Sequence, residues 1–96
     1  MNDPETFRQH LETIFDLDHP NGPIQLRLVH VADEGVARGI RQFSLLFHGP
    51  ADRVVPQNTY SLRHEALGSL ALFIVPVVGS THARTVYQAC FSVAVE

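Results

Sequence analysis

The chain of 96 residues has no lysine, no tryptophan and a single cysteine, Cys90. A lone cysteine excludes an intrachain disulfide, and it excludes any zinc site built on two or more thiolates. It fits a reducing compartment. Charge is scarce as well. Asp, Glu, Lys and Arg together make up 18% of the residues, and the net charge is −3. Disorder driven by self-repelling charge is excluded, and a duplex-DNA binder working by bulk electrostatics is not expected. The longest apolar run, residues 70–78, falls far short of the roughly 20 residues of a membrane-spanning helix. The N-terminus, MNDPET, lacks the basic and apolar regions of a signal peptide. A cytoplasmic protein with neither nucleic acid nor membrane as its partner is the expectation. The six glycines are isolated at turns, so no glycine-rich phosphate loop is present. The basic residues are all arginine, scattered at 8, 27, 38, 41, 53, 63 and 84, with no basic patch in linear order.

What remains is a chain that is 45% hydrophobic, enough for one core and one domain over residues 1–96. Asp3 followed by Pro4 and Glu5 reads as a helix start, because Asp caps and Pro suits the first helical position. Phe7 and Leu11, four apart, share a face, and a helix over 4–12 is predicted. The period then becomes two. Phe15 and Leu17 alternate with Asp16 and Asp18. Residues 19–23 form a turn around Asn21-Gly22 with a proline on each side. Ile24, Leu26 and Leu28 form a strand face. The apolar set switches parity at Val29 and Val31, which requires a bulge or cover on both faces. A second turn is placed at Asp33-Glu34-Gly35. Strands follow with Phe43, Leu45 and Phe47, and then with Tyr60, Leu62 and His64. The loop between them is the longest in the chain. Gly68 is the left-handed residue of the next turn. The last two strands are the 70–78 run and an 86–95 segment with Tyr87, Ala89, Phe91, Val93 and Val95 on one face, separated by a turn at 79–83. Short connections favour antiparallel neighbours. The fold predicted is mostly β: a six-stranded antiparallel meander forming a small barrel or sandwich, with the N-terminal helix covering one end.

Six histidines, at 10, 19, 30, 48, 64 and 82, raise the question of metal binding. No pair has a tight ligand spacing, so no metal or cofactor is expected. His30 and His64 share the parity of their strands' apolar residues and could meet inside the barrel. Cys90 has no base or cationic neighbour in the local sequence and reads as a packing residue. Ser44 and Ser61 stand outside any Gly-x-Ser-x-Gly elbow, and Asp16 with Asp18 reads as a solvated face. Tyr60 and Phe43 read as core and not as a base-stacking platform. No catalytic residue is assigned. The candidate ligand-binding residues, grouped at a barrel mouth around the longest loop, are His48, Arg53, Gln57, Asn58 and His64. The strongest anomaly is the 70–78 run, apolar on both parities. One parity must lie under the helix or against a second protein. Its candidate interface residues are Ala71, Phe73, Ile74, Val75 and Val77, and a homo-oligomer or protein partner is expected.

The runs FSLLFHGP at 43–50, PQNTYSLRH at 56–64, LG at 67–68, LFIVPV at 72–77 and YQACF at 87–91 resemble DUF6916, a family of small bacterial proteins of unknown function. The resemblance covers most of the chain. Asn58 stands where glycine is usual before Thr-Tyr, and Cys90 where valine is common. The resemblance implies no activity. Some relatives lie near genes for phage-tail-like collar proteins, which implies an assembly role. Two readings follow: a non-enzymatic interaction or assembly module, accessory to a phage-tail-like structure, or a small-ligand-binding barrel or minor enzyme using His30, His48 or His64 with the 50–58 loop. The second requires two or more of those histidines to converge in one pocket.

Overall fold

A computed structural model describes residues 3–77 and 83–95. Val78, His82 and nearly all of the turn placed at 79–83 lie outside the described residues. The chain opens with helix α1 (Pro4–Arg8). The Asp3 carboxylate accepts the Thr6 N–H at 2.7 Å, and this bond holds its pKa below the usual carboxylate value. The helix ends earlier than the predicted 4–12. After Arg8 the backbone tightens, with the His10 N–H donating to the Phe7 carbonyl three residues back. Glu12 then takes a left-handed conformation, φ 67°. This reversal delivers the Glu12 N–H to the Leu28 carbonyl at 2.7 Å, where the sheet begins.

Six strands follow: β1 (Ile14–Leu17), β2 (Ile24–Ala37), β3 (Ile40–Gly49), β4 (Asn58–His64), β5 (Gly68–Pro76) and β6 (Thr85–Ala94). They close into a barrel in the order β1-β2-β3-β6-β5-β4, with every pair antiparallel, including the closing pair Leu17↔Leu62. The barrel, the strand count and the short helix are as predicted. The meander is broken at one connection. β3 pairs with β6, not with β4, so the segment 50–57 must pass across one end of the barrel to reach β4. It is anchored there. Val55 is buried, and its N–H donates to the Tyr87 hydroxyl at 3.1 Å. Burial raises the Tyr87 pKa above its ordinary value. The Tyr87 ring lies against Gly49, where a Cβ would sit 2.7 Å from Leu26 Cδ2 and 3.1 Å from Tyr87 Cε2. No larger residue fits at the end of β3 without moving that floor.

The parity switch in β2 is a bulge. Leu28 opposes Phe47, but His30 opposes Leu46, so β2 carries one extra residue. Asp33-Glu34-Gly35 is a second bulge and not the predicted turn. β2 runs through it, with the register slipping between Asp33 and Val36 and the Gly35 N–H donating to Asp33 Oδ1 at 2.9 Å. The hairpin turns instead at Arg38-Gly39, φ 55° and 76°, where both residues are left-handed as a two-residue turn requires.

Inward residues alternate along every strand. Phe15, Leu26, Leu45, Phe47 and Leu62 are fully buried. At the end opposite the 50–57 crossing, Phe7 enters from α1. It meets Phe43 and Phe91, whose rings stack at 4.5 Å with 3° between planes. The helix thus covers that end, packing on β2. In β5, Leu72 and Ile74 point inward and Ala71 and Phe73 outward. Pro76 is tolerated because Val77 takes the hydrogen bond to Val86. The position of Pro76 aims its missing N–H away from β6, past the start of β4. Cys90 corrects the packing assignment: it is exposed, opposite Ser44 on the outer face.

Candidate functional site

Three features outside the core have the geometry to engage another molecule. The first is an open hollow of about 750 Å³. Arg27 on β2 and His48 on β3 are register partners on the outside of the barrel. Ile14 flanks them on β1, and Val86 flanks them on β6. Arg53, from the crossing segment, and Arg84, just before β6, complete the wall. Arg53 is held in place by the turn before β2. It donates to the carbonyls of Gly22 at 2.7 Å, Pro23 at 3.1 Å and Asn21 at 3.4 Å. Glu12 approaches Arg27 Nε at 3.5 Å, with both side chains more than half exposed, so that pair is weak. No acid is among the described residues lining the hollow. Burial, then the nearby Arg84 and Arg27, lowers the His48 pKa below the ordinary imidazole value.

The second is a cavity of about 520 Å³ near the helix-covered end, touched by His10, Thr13, Asp16 and His64. The His64 ring is fully engaged. Its Nδ1 accepts the N–H groups of Ala66 and Leu67 at 3.0 and 3.2 Å. Thr13 Oγ1 donates to the His10 carbonyl at 2.6 Å, so it receives the Nε2–H of His64 at 2.9 Å. The His10 ring lies edge-on at 4.8 Å. This network needs a neutral imidazole, and burial, followed by the neighbouring His10, lowers the His64 pKa. The group is built as the clamp of the β4–β5 turn.

The pH consequence has a definite sign. A histidine whose folded pKa lies below its unfolded value of 6.5 contributes stability that is complete above that value and is lost as pH falls toward the folded pKa. His48 acts in the same direction. The thermal midpoint is therefore expected to fall between pH 7.5 and 5. His64→Asn, which keeps an acceptor near the Nδ1 position but does not titrate, should flatten that dependence. An unchanged slope in the variant would remove His64 from the account.

The third feature is the outer face of β5. Phe73 is 52% exposed, beside exposed Ala71 and half-buried Val75 and Val77. Its cross-strand neighbours on β4 are uncharged, with Thr59 opposite Phe73 and Ser61 opposite Ala71. Ile74, grouped with these residues from the sequence, is fully buried and belongs to the core.

The sequence-derived ligand group divides. His48 and Arg53 line the same hollow. Gln57 and Asn58 are exposed away from it, and the Asn58 amide oxygen accepts the Thr59 N–H. His64 belongs to the second cavity. The β2 bulge turns His30 outward, so it does not meet His64 inside the barrel. Sequence reasoning missed Arg27 and Arg84 at the hollow, and it missed His10 and Thr13 as partners of His64. Among the described residues no group of three His, Cys, Asp or Glu is placed to hold a metal ion.

No curated protein matches the chain, and no solved structure does. A family model described as a domain of unknown function, DUF6916, matches residues 3–91, and the chain belongs to that family.

Proposed function

We propose that this domain is a non-enzymatic interaction module that pairs with a second copy of itself through the outer face of β5. The observation that carries the reading is the exposure of Phe73 at 52% within an uncharged row. Helix α1, the one helix among the described residues, packs on β2 instead. Interface centres are depleted in charge and enriched in aromatics, and a two-fold dimer uses the same patch on both subunits. The ligand-binding or enzymatic alternative needs two or more of His30, His48 and His64 in one pocket, and they stand in three separate surroundings. An accessory place in a phage-tail-like assembly and a cytoplasmic location belong to the same proposal. No helix among the described residues is long and apolar enough to cross a membrane. Size-exclusion chromatography with light scattering tests the pairing. Wild type should approach the mass of two chains as concentration rises, and Phe73→Asp should hold the mass of one. A wild type that stays at one chain at high concentration refutes self-pairing.

A further inference from the structure

The chain carries a net charge of −3, yet three of its seven basic side chains and one histidine border a single hollow. We propose that this hollow is a binding site for a small polyanion carrying phosphoryl or carboxylate groups. It is independent of the β5 face.

Each element supplies its group for a structural reason. Strand alternation sends Arg27 outward between buried Leu26 and Leu28. The β2–β3 register sets His48 directly beside it. The crossing of the 50–57 segment brings Arg53 to the same wall, and its bonds to three turn carbonyls fix the guanidinium before any ligand arrives. That fixing lowers the ordering cost of binding. Arg84 enters next to Thr85, which opposes Gly49.

The volume, about 750 Å³, lies within the usual range for small-molecule sites. Arginine is suited to the task, because its planar fork donates two parallel hydrogen bonds to a carboxylate or phosphate. The ordinary alternative is that these arginines serve the fold alone. That accounts for Arg53, which braces a turn. It does not account for Arg84, which is exposed, or for Arg27, which is exposed and whose pair with Glu12 at 3.5 Å is weak. Like charges side by side at one concavity repel, and the exposed Glu12 offsets this at Arg27 only weakly, so a further anion between the arginines is favoured. His48 feels the same field: burial first, then Arg84 and Arg27, disfavour its protonation, against a smaller opposing effect of Glu12. A bound anion would reverse the effect of the arginines.

The test is a titration of the full chain with pyrophosphate, and separately with citrate, at matched ionic strength, followed by NMR. Saturable shifts at the Gly49 and Arg53 amides are expected, with half-saturation below about 1 mM. The His48 imidazole pKa should rise on binding. The tighter of the two probes assigns the phosphoryl or the carboxylate class. The double variant Arg27→Gln/Arg84→Gln replaces exposed side chains and should keep the wild-type thermal midpoint while losing saturable binding. Saturable binding retained by the double variant overturns the proposal. So does a wild type that saturates with neither probe and shows no change in the His48 pKa.

Discussion

Ile74→Asp is expected to unfold the barrel, while Phe73→Asp, one residue away, leaves it folded. The two side chains leave the same strand on opposite faces. Ile74 is 0% exposed and Phe73 is 52% exposed. A carboxylate at position 74 would sit opposite Ala89 on β6 and beside Leu72 on its own strand, with no charge partner. Burying an unpaired charge is among the few substitutions that cost more than about 5 kcal/mol. A domain of this size holds about 5–15 kcal/mol in all, so the variant should lack a cooperative thermal transition. Phe73→Asp gives up strand propensity and the covered part of the ring, about 1–2 kcal/mol in all, and buries no charge. Circular dichroism with thermal melts of both variants is the check. Two folded variants, or two unfolded ones, would mean that the strand's faces are misassigned.

The second large effect concerns the aromatic plug. Phe43→Ala should cost about 3–5 kcal/mol, the range for a fully buried aromatic. At about 4–8 °C per kcal/mol for a domain this small, the midpoint should drop by at least about 12 °C. Phe43 is 1% exposed and touches both Phe7 and Phe91, so its removal empties the space between helix and sheet. Phe91, its stacked neighbour, is only half-buried. Phe91→Ala should cost about 1–2.5 kcal/mol, through part of its area and the lost stacking. Chemical denaturation of both variants orders them. A larger loss for Phe91 would place the plug's centre on β6 and not on β3.

Period-two alternation marks five of the six strands, because each has one face in the core and side chains repeat every two residues; β5 is marked instead by an unbroken apolar run. That run also points to the outer face of β5, since an apolar residue such as Phe73 on a surface parity breaks the alternation. The predicted helix runs past the observed one because Leu11 keeps helical spacing from Phe7 and does pack against the core. It reaches the core through the tightened turns after Arg8, with the Leu11 N–H donating to the Arg8 carbonyl at 3.4 Å, and not through a continuous helix. Asp33-Glu34-Gly35 has the composition of a turn and serves as a bulge, whereas Arg38-Gly39 turns with an arginine in the left-handed region. Local chemistry favours the former site. Register with β3 and β6 selects the latter. The strand order was illegible for a related reason. Short connections imply neighbours, but nothing in residues 50–57 says that they cross a barrel end held by Tyr87. The hollow shares that origin. Arg27, His48, Arg53 and Arg84 are scattered in sequence and meet only once the bulge in β2 and the crossing segment are in place. Cys90 was misplaced as packing although its parity is the solvent side of β6. The absence of a base or cationic neighbour excludes a reactive thiol but says nothing of which face the side chain takes.

Dilution followed by NMR asks whether the outer face of β5 pairs with a second copy. Amide spectra of the wild type are compared across a concentration series and against Phe73→Asp. Concentration-dependent shifts are predicted at Ala71, Phe73 and Val75, with their β4 neighbours Thr59 and Ser61, and they should vanish in the variant. Spectra that do not change with concentration, or shifts confined to another surface such as the β2–β3 hairpin, would contradict that pairing.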